Sequence, residues 1–141
     1  MQQILPHVLW LGHAGDGHDF RPVLDAGIEA VVQLAAEELP LQPPRDLIFC
    51  RFPLVDGPEN DRRLLYLAIT TLANLLEKRV PTFVCCGGGL SRSPAIAAAA
   101  PSIVYQEEPD SCLKRIAEHR PHDVVPGLWN DVKAALDFAR A

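Results

Sequence analysis

The sequence has few features that would suit a membrane protein, a disulfide scaffold or a zinc protein. Its 141 residues contain no apolar run long enough to span a bilayer, and the first residues lack the pattern of a secretory leader. The cysteines show neither a disulfide framework nor paired Cys-x2-Cys zinc ligands. There are four of them: Cys50, Cys85, Cys86 and Cys112. These absences predict a reduced cytoplasmic protein that does not act at a membrane.

The chain also lacks an excess of positive charge. Its 13 Lys and Arg residues are outnumbered by 18 Asp and Glu residues, giving a formal net charge of -5, which argues against nucleic acid as a partner. The Gly-Lys-Ser/Thr triplet of nucleotide-binding P-loops does not occur. With 48% hydrophobic and 22% charged residues the chain is typical of a globular protein. Its length predicts one domain, residues 1–141, which we expect to be a monomer.

One stretch, residues 82–94, carries the strongest functional signal. Phe83 and Val84 favour a strand. The three glycines that follow, Gly87–Gly89, permit close backbone approach, and Pro94 suits a first helical turn. A strand, a glycine loop and a helix start in this order direct successive backbone N–H groups and the positive end of the helix to one place. The stretch therefore predicts an anion site.

Two reactive side chains flank this loop. Arg92 offers a planar fork of N–H donors that matches two phosphoryl oxygens, and it stays charged at any working pH. The same positive surroundings favour the thiolate form of Cys86 over the thiol. A thiolate at the floor of an anion site is a nucleophile for phosphorus.

The pattern Cys86-x5-Arg92-Ser93, between an apolar strand and a helix, resembles the signature loop of the cysteine-dependent protein tyrosine phosphatase superfamily. Because the loop ends in Ser91-Arg92-Ser93, it is most similar to the small, atypical dual-specificity branch. The resemblance implies that Cys86 forms a phosphocysteine, that Arg92 holds the phosphate and that Ser93 assists departure of the thiolate. It also implies a phosphate loop made of Gly87, Gly88, Gly89, Leu90, Ser91 and Arg92.

This chemistry needs an acid to protonate the leaving oxygen. Asp56 is the candidate, because it stands 30 positions before Cys86, after a predicted strand and on a Gly-Pro turn. The general acid of dual-specificity phosphatases has a similar place. Glu59 and Asp61 are the alternative acids, although Asp61 also suits a helix cap, and Asp56 would be a simple turn residue if it had no catalytic role.

Together these residues predict two-step hydrolysis of a phosphomonoester, in a protein or a small molecule, without metal or cofactor. The loop contains no Lys or His, which weakly favours a phosphoprotein over a phosphoinositide or an RNA 5′-phosphate end. A phosphate-binding module with little catalysis is a further alternative. Rhodanese-like enzymes usually have a shorter loop, and arsenate reductases carry Cys-x5-Arg near the N-terminus, whereas Cys86 lies past mid-chain.

Simpler structural interpretations exist for the reactive residues. Cys85 and Cys86 could be buried apolar residues at the end of a strand. A structural turn, however, does not need three consecutive glycines. A second cluster of polar side chains could hold a metal ion, although such residues are more often turn and cap residues. Its members are His13, Asp16, His18 and Asp19.

The alternation of strands and helices predicts an α/β three-layer sandwich with a central, mainly parallel sheet and helices on both faces, and the resemblance implies the same fold. The predicted strands are the run Val8–Leu11 within Ile4–Gly12, then Ile28–Leu34, Asp46–Leu54 and the run ending at Cys86. The predicted helices are Asp19–Ala26, Asp61–Lys78, Ala95–Tyr105, a helix from Asp110 or Ser111 to Ala117, and Gly127–Arg140.

Three positions depart from expectation. Many of the phosphatases have His before the nucleophile, but this chain has Cys85, which strand alternation turns away from the site. Many have Asn after a proline near the last helix, where it braces the loop, but this chain has Gly127. Pro101 should kink or interrupt the helix in which it lies.

Overall fold

Five strands form a sheet that carries the glycine loop near its middle. The computed structural model describes the backbone of residues 1–140 and the side chains of residues 1–138. The strands are β1 (Gln2–Leu5), β2 (Leu9–His13), β3 (Ala30–Ala35), β4 (Ile48–Leu54) and β5 (Thr82–Cys86). The helices are α1 (Arg21–Asp25), α2 (Arg62–Glu77), α3 (Arg92–Val104), α4 (Pro109–His119) and α5 (Pro126–Arg140), with a 3-10 turn at Ala14–His18.

The sheet is mainly parallel, as predicted. Its strand order is β1-β2-β5-β3-β4, and only β1 and β2 pair antiparallel within it. Strand β5 lies in the middle, between β2 and β3. The glycine loop therefore leaves the sheet at the carboxyl edge of its central strand, which is where parallel sheets bind their ligands.

The amino-terminal region contains two strands where the sequence predicted one, Val8–Leu11, because β1 precedes the strand that corresponds to it, β2. The chain reverses between β1 and β2, where His7 has φ 64° and the Val8 N–H donates to the Leu5 carbonyl at 3.2 Å. A histidine does not by itself predict a left-handed turn as a glycine does, because most histidines have negative φ. The turn makes β1 the antiparallel edge strand and places β2 inside the sheet, beside β5.

The two faces of the sheet are covered unequally. Val84 and Cys86 of β5 face a large core built with α2, α3, α4 and α5. Phe83 and Cys85 face a smaller core that includes Val23 of α1. Side chains alternate between the faces of a strand, so neighbouring residues of β5 enter different cores. The three-layer arrangement is confirmed, with one thick and one thin helical layer.

Helix α3 continues through Pro101. Proline cannot donate to the carbonyl of Ala97, yet α3 runs from Arg92 to Val104, and the Tyr105 N–H donates to the Pro101 carbonyl at 2.9 Å. The helix is buried along most of its length and packs against α2, α4 and α5. This packing offsets the missing hydrogen bond, and the interruption expected from the sequence does not occur.

We expect Pro101→Ala to raise the free energy of unfolding by about 1–2 kcal/mol. An interior proline costs ~3 kcal/mol relative to alanine in a helix, and the lost contacts of the buried ring offset part of this gain. Urea unfolding followed by circular dichroism measures the change. Pro109→Ala is the matched control, because Pro109 occupies the first turn of α4, where proline is tolerated. A Pro101→Ala protein less stable than wild type would show that ring packing outweighs the backbone cost.

Candidate active site

The glycine loop is packed closely against the end of β2. Gly89 has φ +74°, and a Cβ built on it would lie 2.7 Å from the Gly12 carbonyl oxygen, so only glycine fits there. The Ala14 N–H donates to the Gly87 carbonyl at 3.2 Å. These contacts hold the loop between the end of β5 and the start of α3.

Cys86 lies at the floor of the loop, with only 2% of its surface exposed. The Ser93 backbone N–H, in the first turn of α3, donates to Cys86 Sγ with an N···S distance of 3.4 Å. A backbone donor and the positive end of a helix both stabilise negative charge on this sulfur. The Ser93 side chain is fully buried, and its Oγ has no hydrogen-bond partner among the described residues.

Glu37 and a backbone carbonyl bind one end of the Arg92 guanidinium, whereas the Nε donor on another edge has no partner among the described residues. Its Nη1 donates to Glu37 Oε1 at 2.5 Å and to the Leu54 carbonyl at 2.9 Å, and its Nη2 donates to Glu37 Oε2 at 2.6 Å. Its Nε is buried and has no partner among the described residues. Because Nε and Nη2 share the remaining edge of the guanidinium, Arg92 still presents two N–H donors in the geometry that suits two phosphate oxygens.

Glu37 was not identified from the sequence. Its carboxylate accepts hydrogen bonds from Arg92, which lowers its pKa to about 2 against the opposing effect of burial. The same contact raises the pKa of Arg92 further above its usual range. The available signal was position in the chain: Glu37 comes two residues after the end of β3, and the carboxyl end of β3 lies beside that of β5.

Two polar side chains, the buried Gln33 and the half-buried Arg51, shape the segment that carries Glu37. The Gln33 amide donates to the Leu39 carbonyl and accepts from the Leu41 N–H, both at 2.9 Å. Arg51 Nη2 donates to the carbonyls of Ala36 and Glu38 at 3.3 and 3.2 Å. These bonds fix the backbone on both sides of Glu37, so its carboxylate is directed at Arg92 by the fold.

Asp56 lies in the same cavity as Cys86 and Arg92. The cavity has a volume of about 230 Å³. The remaining lining residues are Gly88, Leu90, Ser91, Asp123 and Val125. The alternative acids lie elsewhere: the Asp61 carboxylate accepts from the Arg63 N–H as the cap of α2, and Glu59 lines a different groove. The structure thus brings Asp56, rather than either alternative, to the predicted nucleophile.

The segment before α5 braces the phosphate loop without an asparagine. The Asp123 N–H donates to the Leu90 carbonyl at 2.7 Å, and the Val125 N–H donates to Ser91 Oγ at 3.1 Å. Gly127 instead contacts the proline of the Asp56 turn, since a Cβ on it would lie 3.0 Å from Pro58 Cδ. Backbone groups therefore do what the resemblance assigns to an asparagine side chain.

Cys85 is turned away from the cavity, as predicted. It packs with Phe83 on the thin side of the sheet and is 1% exposed. Burial, with a smaller contribution from the charge of Cys86, raises the pKa of Cys85 to about 12. Such a thiol remains protonated and unreactive at neutral pH.

The predicted alternative metal cluster lies in and around the 3-10 turn that follows β2; its members are His13, Asp16, His18 and Asp19. Among the residues with described side chains, no group of three or more His, Cys, Asp or Glu is arranged to hold a metal ion. Asp16 accepts from the His13 backbone N–H at 3.1 Å, which is a cap contact. None of the helices in the described part of the chain is long and apolar enough to cross a membrane.

Solved structures with this architecture include those of dual-specificity phosphatases. Human DUSP28 matches with a TM-score of 0.86 and 19% identity, over 99% of this chain and 98% of that chain. A human tyrosine phosphatase-like serine/threonine/tyrosine-interacting protein matches with a TM-score of 0.81 and 21% identity, over 100% and 98%. PTPMT1 in complex with PI(5)P matches with a TM-score of 0.74 and 21% identity, over 95% and 94%.

Comparison with protein-family models and with curated protein sequences finds no match. The similarity is therefore one of structure at low sequence identity. It extends over nearly the whole chain and over most of each solved structure. This chain has the fold of the small dual-specificity phosphatases.

Proposed function

We propose that this chain is a cysteine-dependent phosphatase that hydrolyses phosphomonoesters through a phosphocysteine on Cys86. The unpartnered Nε of Arg92, buried beside the cavity that also contains Cys86 and Asp56, supports this most strongly. A buried guanidinium donor without a protein partner suits an anion, and phosphate supplies two adjacent oxygens that match the Nε and Nη2 edge of Arg92. The fold of the solved phosphatases is consistent with this use.

The first step transfers the phosphoryl group to sulfur. The Cys86 thiolate attacks phosphorus in line, the S–P bond forms, and the bond from phosphorus to the leaving oxygen breaks while Asp56 donates its proton to that oxygen. Arg92 and the backbone N–H groups of the loop hold the three remaining oxygens. An alcohol or phenol leaves.

The second step regenerates the enzyme. Water attacks phosphorus, its proton passes to Asp56, and the S–P bond breaks to give inorganic phosphate and the Cys86 thiolate. The buried hydroxyl of Ser93, which has no other partner among the described residues, can donate to the departing sulfur. These steps use no metal ion or cofactor.

The charges of the cavity favour a substrate with a single phosphate. Asp56 and Asp123 line it together with Arg92, so further phosphate groups would meet carboxylates. A phosphorylated Tyr, Ser or Thr side chain satisfies this condition. The second candidate is a phosphoinositide, favoured by the similarity to PTPMT1, which was solved with PI(5)P. Faster turnover of phosphatidylinositol monophosphate than of phosphopeptides would favour that candidate.

We expect the reduced wild-type protein to hydrolyse p-nitrophenyl phosphate in the presence of chelator, and Cys86→Ser to lose this activity while still binding vanadate or phosphate. A hydroxyl does not ionise at neutral pH, but the donors of the loop and Arg92 remain in place. Phosphate release and isothermal titration measure the two properties. Cys85→Ser, one residue away and on the other face, is the control and should stay active. An active Cys86→Ser protein would rule out the phosphocysteine route.

We expect Asp56→Asn to lower kcat by about 10²-fold or more for phenyl phosphate and far less for 2,4-dinitrophenyl phosphate. The poor leaving group needs a proton in the transition state, whereas dinitrophenolate leaves without one. Asp61→Asn is the control, because Asp61 caps α2 and does not line the cavity. Equal losses on both esters would make Asp56 a structural residue.

We expect Glu37→Gln to reduce kcat/KM by about tenfold, because Arg92 loses the carboxylate that orients its open edge. The wild-type ion pair is complete above the usual carboxyl pKa of 4.5 and is lost only as the pH falls toward 2, so Glu37 should add no limb to a pH profile between about 5 and 8. Steady-state kinetics across this range measures both. Glu38→Gln, the same change one residue along, should leave kcat/KM near wild type. No effect of Glu37→Gln would show that Leu54 and packing suffice to hold Arg92.

A further inference from the structure

The turn that carries Asp56 is held by hydrogen bonds among its own residues. We call residues 55–60 the acid loop. Asn60 Oδ1 accepts from the Val55 N–H at 2.8 Å, and Asn60 Nδ2 donates to the carbonyls of Val55 and Gly57 at 2.9 and 3.2 Å. The Gly57 N–H also donates to the Val55 carbonyl at 2.9 Å. The acid loop thus keeps its own shape, and its placement over Cys86 depends on contacts with other elements.

Two contacts join the acid loop to the start of α5. The Glu59 N–H donates to Asp131 Oδ2 at 3.1 Å, and Glu59 has φ 77°, a conformation that needs support from its surroundings. The Pro58 ring lies against the bare backbone of Gly127, where an added Cβ would be 3.0 to 3.3 Å from three ring carbons. A residue larger than glycine at 127 would push the ring away.

The acid loop is not packed against other elements on every side. An open groove of about 490 Å³ lies between it and the helices. The groove is lined by Pro58, Glu59, Asn60, Arg62, Leu65, Asp131 and Ala134. Because this space is unfilled by side chains, the loop has room to move there if its attachment to α5 is lost.

The same end of α5 is also attached to the phosphate loop. The bonds from Asp123 to the Leu90 carbonyl and from Val125 to Ser91 Oγ lie only a few residues before Gly127. One short segment, residues 123–131, therefore contacts both the loop that carries the nucleophile and the loop that carries the acid.

We propose that this segment sets the position of the general acid relative to the nucleophile, with Gly127 and Asp131 as positioning residues. The assignment of Asp56 as the acid rests on the proposed function, whereas the mechanical link between α5 and the acid loop does not. Gly127 is then required for close contact with Pro58. On this basis Gly127→Asn, which restores the residue usual in similar phosphatases, impairs the acid step.

The test compares two leaving groups. Asp131→Ala and Gly127→Asn should each lower kcat roughly tenfold for phenyl phosphate and less than about twofold for 2,4-dinitrophenyl phosphate, since only the first ester needs the proton from Asp56. Vanadate affinity should stay at the wild-type value, because the phosphate loop is untouched. Asp137→Ala removes an exposed carboxylate from the same helix and should change neither ester.

A second measurement does not depend on activity. Backbone ¹⁵N relaxation should show lower order parameters for the amides of Asp56, Gly57 and Glu59 in Asp131→Ala and Gly127→Asn than in wild type, with the phosphate loop unchanged. If wild type hydrolyses no phosphomonoester, the proposed function fails and relaxation alone decides the link. Unchanged order parameters in both variants, or equal loss on the two esters, would overturn the positioning role.

Discussion

The candidate site depends on one buried cation, the guanidinium of Arg92. Its end is paired with Glu37, and one of its edges keeps N–H donors that no protein group occupies. Arg92 is almost fully buried, and burying a guanidinium is costly unless its donors are used. Glu37 and the Leu54 carbonyl use three of them, and this leaves the Nε and Nη2 edge for an anion. The fold thereby stabilises the charge in the free protein without filling the position that a phosphate would take.

Three carboxyl ends of parallel strands contribute to this arrangement. Strand β5 leads into the phosphate loop, β3 into the Glu37 segment and β4 into the acid loop. Because β3 pairs with both β4 and β5, these three loops leave the same edge of the sheet as neighbours. Residues 123–131, which include the start of α5, then join two of them from the outside, through Leu90 and Ser91 on one side and Glu59 on the other.

The departures from the usual phosphatase pattern have local physical consequences. Cys85 places a small thiol in the thin core, so no histidine precedes Cys86, and the Cys86 sulfur accepts a hydrogen bond from the Ser93 backbone N–H. Gly127 removes a side chain from the start of α5 and admits Pro58 instead. Backbone groups of residues 123–125 contact the phosphate loop, and the acid loop is attached through the bare backbone of Gly127 and the side chain of Asp131.

The sequence by itself determined the structure of segments whose residues are neighbours along the chain. The strand, glycine loop and helix around Cys86 and Arg92 follow one another along the chain, so their residue types predict the structure directly. Only the tertiary structure decided the contacts between residues that are far apart in the sequence. Glu37 lies 55 residues from Arg92, and the Pro58 contact with Gly127 joins loops that become neighbours when the sheet forms. Such contacts depend on strand order, helix packing and side-chain direction, which no local pattern encodes.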